Sequence, residues 1–309
     1  MSSIEYNYHL QDTDSNWSCN SCLFPLLMAD SSTQLTSRSA TTISVDVNGS
    51  LNPNLKNRGM KFGHLNLASL HSHCADVDVV LKKTNIDVMA FSESRLDSTI
   101  ADSLICPSNY VCYRKDRNRK GGGCTVSVKN KWPSKRRDDL ESSCLEMLCV
   151  EICPEKARNT LFITTYKPPI MDSDKFVTRF QEDVLVKLEN ETKRDIMITG
   201  DFNADVGALK LNKYTRKLMQ ITRLHGLTQL IKNPTRVTED TSSTLYLIFV
   251  NNCHRIVTHG VQECGISDLD FPKALLKFVK YDRTRITIRE AFARILLGFL
   301  GVSLSHLKI

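Results

Sequence analysis

The chain has 309 residues, 41% of them hydrophobic and 24% charged, and a formal net charge of +7 at pH 7. It is long enough for one large domain or two small ones, and the positive charge mildly favours an anionic partner. Eleven scattered cysteines argue against a disulfide framework and for reduced thiols in an intracellular protein. The N-terminus lacks the apolar run of a secretory signal, and the longest apolar stretch, Ile295–Leu304, is too short to cross a bilayer.

Residues 1–57 show little apolar periodicity and are predicted to be mostly disordered. Within them, Trp17, Cys19 and Cys22 have the spacing of the closing ligands of a PHD-type zinc finger, so a zinc-finger remnant is one interpretation. Zinc needs four ligands, however, and His9 is the only other candidate nearby. Two free thiols are therefore the favoured interpretation of this pair.

The first predicted elements place two oxygen-bearing side chains at strand ends. Met60–Asn66 has the pattern of a strand that ends on Asn66, and Ser69–Lys83 has a helical apolar face. Ile86–Phe91 is predicted to be a second strand, and Glu93 follows it closely. A glutamate after a strand is usually a surface residue, but one in line with an asparagine at another strand end suits a hard cation.

A basic segment follows these elements. Tyr110–Asp116 and Cys124–Val128 are predicted strands, and three consecutive glycines, Gly121–Gly123, allow close backbone contact before the second of them. Between Tyr113 and Asp139 there are ten lysines and arginines but three aspartates. Such a run is either a solvated face or a surface that follows a phosphate backbone, and the sequence leaves both interpretations open.

Two β-rich segments and an amphipathic helix come next. Leu145–Ile152 and Thr160–Tyr166 are predicted strands, and two prolines end the second of them. This arrangement leaves the phenol of Tyr166 and the ammonium of Lys167 at a strand end. Asp174–Glu191 carries apolar residues at spacing four, which is typical of a helix that covers a sheet.

The segment around Asp201 is the centre of the functional prediction. Ile196–Ile198 reads as a buried strand, and Asp201, Asn203 and Asp205 follow at spacing two. Carboxylate and amide groups that point the same way from a strand end suit holding a metal ion or a water molecule beside a phosphate. The alternative is an ordinary polar turn, because the same residue types are common in turns. Asn212–His225 is predicted to be the next helix.

The remaining segments complete an alternation of strands and helices. Thr244–Val250 is predicted to be a strongly apolar strand, and Lys273–Val279 the last strand. The alternation predicts an α/β sandwich with its site at one edge of two sheets. Residues 281–309 are a tail of unknown role, for which a packed helix, a scar of truncation and a disordered end are all open.

Seven short motifs occur in order along the chain. They are His64-Leu65-Asn66-x-x-Ser69-Leu70, Phe91-Ser92-Glu93-Ser94, Arg114-x-Asp116-Arg117 with Gly121-Gly122-Gly123, Tyr166-Lys167-Pro168-Pro169, Gly200-Asp201-Phe202-Asn203, Pro234-Thr235-Arg236 and Ile266-Ser267-Asp268. Together they resemble the endonuclease domain of LINE-type (non-LTR) retrotransposons, in the exonuclease–endonuclease–phosphatase superfamily with DNase I and the apurinic endonucleases. The resemblance implies a four-layer α/β/β/α sandwich, DNase I-like, over residues 58–280.

The resemblance also implies an activity: hydrolysis of a phosphodiester with Mg²⁺ (or Mn²⁺), which nicks DNA in the nucleus without a small-molecule cofactor or a membrane. Asp201 would orient or deprotonate the attacking water, Asn203 and Tyr166 would contact the phosphate, and Asp268 would assist at the metal side. The implied metal ligands are Asn66 and Glu93. The implied DNA-contacting residues are Arg117, Lys120, Thr235 and Arg236.

Two positions depart from the motifs of the family. Leu269 stands where the family has a histidine, and Tyr246 stands where it has the aspartate that orients this histidine. The lost pair would supply positive charge and a proton in the transition state, so the resemblance implies an impaired endonuclease. An inactive relic that still binds DNA and a phosphatase of the same superfamily are the alternatives. His254 and His259 are weak candidates for a substitute.

Overall fold

The computed structural model describes residues 59–155, 157–237, 240–263 and 275–281. The predictions for residues 1–57, for Asp268 and Leu269 and for the tail beyond Tyr281 lie outside the described residues. The described part of the chain forms fourteen strands. In chain order they are β1 Met60–Asn66, β2 Val88–Ser92, β3 Tyr110–Lys115, β4 Cys124–Lys129, β5 Ser134–Arg136, β6 Glu146–Ile152, β7 Thr160–Tyr166, β8 Asp195–Asp201, β9 Thr228–Gln229, β10 Arg236–Val237, β11 Ser242–Ser243, β12 Tyr246–Val250, β13 Ile256–Glu263 and β14 Leu275–Tyr281.

The helical segments lie between these strands. They are α1 Cys74–Thr84, α2 Ser173–Arg179, α3 Val186–Leu188 and α4 Lys213–Leu224, with a π-helical segment, Phe180–Leu185, between α2 and α3. Short 3-10 turns occur at Asp102–Leu104, Asp138–Leu140 and Cys253–Arg255. Two of the helices begin at a side-chain cap, because the carboxylate of Asp172 accepts from Lys175 N and the amide oxygen of Asn212 accepts from Thr215 N.

The strands form two six-stranded sheets and one small hairpin. The first sheet has the order β13-β14-β1-β2-β4-β3, and the second has the order β5-β6-β7-β8-β12-β9. β10 pairs with β11 alone. In each large sheet one pair is parallel, β1 with β2 and β7 with β8, and each of these pairs is joined through a helical connection.

Apolar side chains pack in three clusters that separate four layers. Phe62 of the first sheet and Phe162 of the second meet between the sheets, with ring centroids 5.3 Å apart. Val77 of α1 packs on the outer face of the first sheet, and Phe176 and Leu218 pack on the outer face of the second. This arrangement confirms the predicted α/β/β/α sandwich.

Two predicted helices differ from the observed ones. The first begins at Cys74 and not at Ser69, because the chain after β1 first makes a turn in which Ala68 has a φ of 56° and Leu70 N donates to Ser94 O at 2.9 Å. Leu70 is fully buried, so this apolar residue packs into the core from the turn and not from a helix. The second predicted helix contains the π-helical segment and ends at Leu188, three residues earlier than predicted.

Gly200 allows the close approach of β7 and β8 just before the end of β8. Its φ is 154°, and a Cβ atom built on it would lie 1.9 Å from the carbonyl oxygen of Thr165 on the neighbouring strand. No side chain fits there without moving backbone. The glycine therefore sets the separation between the residues that follow it and the end of β7.

The eight cysteines in the described part of the chain are free thiols, as the cysteine pattern predicts. Cys124 and Cys149 are buried in apolar clusters, whereas Cys144 is exposed. No helix among the described residues is both long enough and apolar enough to span a membrane.

Candidate active site

Four side chains form a row across the second sheet, at the level where β7 and β8 end. Glu146 on β6 pairs with Tyr166 on β7, Tyr166 pairs with Asp201 on β8, and Asp201 pairs with Tyr246 on β12. Residues two positions further along these strands, such as Leu148 and Ile248, lie in the cluster between the sheets. Because side chains alternate along a strand, the four residues point toward the first sheet.

Asn66 joins this row from the first sheet. Its side-chain amide donates to Glu93 Oε1 at 3.0 Å and to Asp201 Oδ2 at 2.9 Å. Its oxygen accepts from the backbone N–H of Ala68 at 3.2 Å, and this pattern of partners orients the amide. Asn66 thus contacts both Glu93, the other predicted metal ligand, and Asp201 across the gap between the sheets.

Glu93 projects into the site from a strained turn. It has a φ of 53°, and the turn is held to the glycine loop by Ser94 N to Gly123 O at 3.3 Å and Arg95 N to Gly122 O at 2.9 Å. Positive φ is uncommon for a residue that carries a side chain, and such strain concentrates at functional sites. Arg95 Nη2 lies 3.4 Å from Glu93 Oε2.

Asp201 is almost fully buried at 4% exposure, and the turn after it is locked to β7. Asp201 Oδ1 accepts from Asn203 N at 3.0 Å, and the backbone N–H of Lys167 donates to Asp201 O. Asn203 has a φ of 47° and donates one amide N–H to Lys167 O at 2.8 Å. The carboxylate and the amide therefore have fixed positions beside the end of β7.

Asp205 does not join these groups, contrary to the spacing-two expectation. Its Oδ1 accepts from Gly207 N and from Thr244 N, both at 2.9 Å. β8 ends at Asp201, so the alternation of a strand no longer decides where later side chains point. Asp205 instead holds the loop that leads into β12.

Lys167 also differs from the expectation of an ammonium presented at a strand end. The residue is 3% exposed, and its Nζ donates to Met171 O at 3.0 Å and lies 5.1 Å from the ring centroid of Tyr214. Burial lowers the pKa of the ammonium, against the opposing charges of Asp172 and Asp201. Lys167 thus supports the loop after β7 from inside.

Arg117 lies beside Tyr166 at one end of the row. Its guanidinium carbon is 6.0 Å from the centroid of the Tyr166 ring, and its Nη1 donates to Glu146 Oε1 at 2.7 Å. Glu146 Oε2 accepts from Gly123 N at 2.7 Å. A Cβ on Gly122 would meet both Glu146 and Arg117 within 2.5 Å, so the predicted close contact at the glycines serves this ion pair.

Tyr246 occupies the other end of the row. Its ring centroid is 6.2 Å from that of His64, a fully buried residue of β1. Burial raises the pKa of the Tyr246 phenol, and the charge of Asp201 raises it further. The pKa of Tyr166 is likewise raised, by burial and then by Glu93 and Asp201. Both phenols therefore stay protonated at neutral pH.

Thr235 lies in the interior and not on a DNA-facing rim, which corrects the prediction. It is 1% exposed, and its hydroxyl oxygen accepts from the backbone N–H groups of Leu245 and Tyr246, both at 3.0 Å. A threonine hydroxyl often bonds to backbone in this way at loop ends, which the sequence interpretation missed. Its neighbour Arg236 is exposed on β10.

Most of the basic run, for which a solvated face and a surface that follows a phosphate backbone were both open, is neutralised by carboxylates. Arg114 pairs with Asp102 and Asp116, Arg136 pairs with Glu141, and Arg137 pairs with Asp139, Glu151 and Glu191. Arg117, whose side chain is 34% exposed, pairs with Glu146, and the exposed Lys120 lies in the same loop before the glycines. The basic surface is therefore much smaller than the count of cations suggests.

The two histidines considered as substitutes lie at the wrong end of the first sheet. His259 on β13 pairs with Val279 of β14, which in turn pairs with Phe62, four residues before the end of β1. His254 comes earlier still, in a 3-10 turn. At about 3.3 Å per residue, His259 is more than 10 Å along the strand from the level of Asn66.

The two carboxylates and one amide that meet at Asn66 suit a hard divalent cation. No group of three His, Cys, Asp or Glu side chains in the described ranges could hold a metal. Mg²⁺ needs fewer protein ligands than that, because it binds through one or two carboxylates and keeps several waters. Glu93 and Asp201 therefore fit Mg²⁺ better than a softer metal, and Asn66, whose oxygen here accepts from Ala68 N, would join them as a ligand only with its amide turned over.

Glu146 of the row, and the contact of His64 with Tyr246, were missed in the sequence. Glu146 begins a mostly apolar strand, two positions before Leu148, which is a readable signal for a polar group on an inward-facing position at the strand end. Its importance depends on Arg117, 29 residues earlier in the chain, and no local pattern shows that contact. His64 was read as part of a motif, but its contact with Tyr246 could not be seen.

Comparisons with known proteins identify one matching family and several solved structures of the same fold. The profile of the Endonuclease/Exonuclease/phosphatase family matches residues 58–268. The chain has the fold of the endonuclease domain of TRAS1, a telomere-specific non-LTR retrotransposon, at 13% identity and a TM-score of 0.57, covering 73% of this chain and 100% of that one. It is similar to an AP endonuclease from Archaeoglobus fulgidus at 14% identity and a TM-score of 0.57, covering 72% and 99%.

A 3′ phosphatase, NExo from Neisseria, bound to a product DNA hairpin, is a third structural neighbour, at 13% identity and a TM-score of 0.57, covering 72% and 99%. At such identities the likeness shows the fold alone. No curated protein sequence matches the chain significantly.

Proposed function

We propose that this chain, which belongs to the Endonuclease/Exonuclease/phosphatase family, is a metal-dependent DNA endonuclease of the non-LTR retrotransposon type. Nicking would be slow, because a catalytic dyad of such enzymes is replaced at Tyr246 and Leu269. The observation that carries the proposal is the direct contact of Asn66 with both Glu93 and Asp201 across the two sheets.

Each residue near this contact has a role that its surroundings support. Asp201 is held by Asn66 and by the backbone of Asn203, so its carboxylate can orient and deprotonate a water for attack on phosphorus. Asn203 gives one amide hydrogen to Lys167 O, and its second amide hydrogen is assigned to a phosphate oxygen. The Tyr166 phenol is assigned to the same phosphate, as a protonated donor.

Glu93 and Asn66 would hold the cation, with Asp201 beside them. A bound Mg²⁺ (or Mn²⁺) would supply Lewis-acid stabilisation of the negative charge on the phosphate. The strained turn of Glu93 and the locked turn of Asn203 keep the side chains of these two residues in place before substrate binds.

The row of the second sheet favours a polymeric substrate over a small phosphoester. Four neighbouring strands at about 4.8 Å spacing place its ends about 14 Å apart, which is wider than one phosphate group. Arg117 lies beside Tyr166 at one end. Arg236 is exposed and acts electrostatically on Tyr246 at the other. An arginine at each end of the site, one of them paired with Glu146, suits successive phosphates of a DNA strand.

A DNA-binding protein without activity is the second candidate, and the replaced dyad favours it. Leu269 can neither donate a proton nor carry a charge, and Tyr246 cannot orient an imidazole as a carboxylate does. The two candidates agree on the bound polymer and differ in whether the phosphodiester is broken.

Conversion of supercoiled plasmid to the open circular form by the full chain tests the proposal. With Mg²⁺ we expect slow nicking that EDTA stops, and Asp201→Asn should lower the rate by about 10²-fold, because it removes the base and keeps the shape. Asp205→Asn is the matched control. Asp205 lies in the loop that follows Asp201, but its carboxylate accepts from backbone N–H groups. The rate of this variant should therefore stay near that of the native chain.

Nicking that persists unchanged in Asp201→Asn would show that another enzyme or another site causes it. A folded native chain that binds DNA without nicking would favour the inactive binding protein. A chain that ignores DNA and hydrolyses a small phosphoester would favour the phosphatase interpretation.

A further inference from the structure

Asp201 lies between two tyrosines in one register. Tyr166 pairs with it on β7, and Tyr246 pairs with it on β12. All three side chains point into the gap between the sheets, and neighbouring strands place the tyrosine backbones about 4.8 Å to either side of Asp201. Tyr246 thus flanks Asp201 on the side opposite Tyr166, on a strand that runs antiparallel to β8 whereas β7 runs parallel to it.

The backbone of Tyr246 is held rigidly. Its backbone N–H donates to the hydroxyl of the buried Thr235 at 3.0 Å, and the preceding residue, Leu245, donates to the same oxygen. Its ring centroid lies 6.2 Å from that of His64, which is fully buried on β1 of the other sheet. A side chain whose backbone is hydrogen-bonded and whose ring packs against a buried residue loses little conformational entropy when a ligand binds.

The hydroxyl of Tyr246 lies within the electrostatic reach of the whole site. The groups that act on it are Asp201, Arg236, Glu93 and Tyr166, which come from both sheets and from the β10 hairpin. A phenol with an ordinary pKa of about 10 is a hydrogen-bond donor at neutral pH, whereas an aspartate in its place would be an anion that only accepts. The replacement therefore turns a repulsive neighbour of a phosphate into a donor.

We infer that Tyr246 is a second phosphate-binding phenol, which donates a hydrogen bond to the phosphate held beside Asp201 from the side opposite Tyr166. The inference rests on the proposed function for the position of the phosphate. A hydrogen bond to a charged oxygen is worth about 10- to 100-fold in binding, so the phenol offsets part of what the missing dyad removes. Tyr246 therefore replaces the aspartate of the family motif and at the same time supplies a phosphate contact of its own.

Binding of two nicked DNA duplexes tests the inference without relying on turnover. The duplexes differ only in a 5′-phosphate at the nick, and fluorescence anisotropy gives their Kd values for the full chain with Ca²⁺, which accepts oxygen ligands as Mg²⁺ does. The native chain should prefer the phosphorylated duplex. Tyr246→Phe should reduce that preference about 10-fold or more, with the Kd for the unphosphorylated duplex unchanged.

Tyr113→Phe provides the matched control. Its hydroxyl, on edge strand β3 of the first sheet, bonds at 3.0 Å to Ser134 Oγ on edge strand β5 of the second sheet, outside the site, so its loss should leave the phosphate preference as in the native chain. A purely structural role for Tyr246 would weaken binding of both duplexes equally or lower the Tm. Thermal unfolding of both variants separates those effects.

Two results would overturn the inference: a native chain that does not distinguish the duplexes, or a Tyr246→Phe variant that distinguishes them as well as the native chain does. The second result together with Asp201-dependent nicking would leave the proposed function standing. A Tyr246-dependent preference in a chain that does not nick would support the inference and reject the endonuclease activity.

Discussion

The Tyr246→Asp, Leu269→His double variant is expected to nick supercoiled plasmid about 10²- to 10⁴-fold faster than the native chain. The resemblance to retrotransposon endonucleases assigns a histidine to position 269 and its orienting aspartate to position 246. An imidazolium beside the phosphate supplies positive charge and a proton at the same point, and the carboxylate holds its ring in the useful orientation. A single phenol replaces only part of that chemistry.

The single variants make this prediction specific. Tyr246→Asp alone should nick more slowly than the native chain, because it removes a donor and places a negative charge beside Asp201 and Glu93. Leu269→His alone should gain less than the double variant, because its imidazole lacks an orienting carboxylate. Asp201→Asn in the double background should abolish the gain. A folded double variant that binds DNA and gains nothing would show that the dyad positions are wrongly assigned.

Glu151→Gln is expected to lower the free energy of unfolding at pH 7 by about 3 kcal/mol, the cost of breaking a buried ion pair. Glu151 is fully buried, yet it accepts from Arg194 Nε at 2.6 Å, Asn159 Nδ2 at 2.8 Å and Arg137 Nη1 at 3.1 Å. The glutamine keeps the shape but leaves two guanidinium groups with less compensating charge. Urea unfolding with an unchanged m value measures the loss.

The pH dependence of stability follows from the same network. Burial alone would raise the pKa of Glu151, but hydrogen bonds from Arg194, Asn159 and Arg137 lower it to about 2 from an ordinary value of 4.5. A carboxylate with a lowered pKa stabilises the folded state above pH 4.5, and this contribution is lost as the pH falls toward 2. The difference between the native chain and Glu151→Gln should therefore shrink over that interval.

Glu182→Gln is the control for this prediction. Its side chain is 60% exposed and lies 3.7 Å from Arg179, so its loss should change the free energy of unfolding by less than about 0.5 kcal/mol. An equally small effect for Glu151→Gln would contradict the assigned role of the network. The outcome bears on the site, because Arg194, which pairs with Glu151, immediately precedes β8, whose other end carries Asp201.

The central residues of the site could be predicted from local patterns. Asn66, Glu93 and Asp201 each lie at or just beyond the end of a short apolar strand, and strands in parallel pairs end at one edge of a sheet. The bounds of β1 and β7 were also predicted correctly, because both strands are buried along nearly their whole length and prolines follow the second. These are properties of a few neighbouring residues.

The remaining features depended on contacts between distant parts of the chain. Thr235 reads as a surface residue of a polar turn, but it is buried because β12 returns beside it and offers two backbone donors. The basic run reads as a cationic surface, but Glu141, Glu151 and Glu191 neutralise much of it from other elements. Periodicity and composition report what one segment prefers. Charge balance, burial of a hydroxyl and the neighbours of a strand depend on which segments pack together, and the tertiary structure alone decides that.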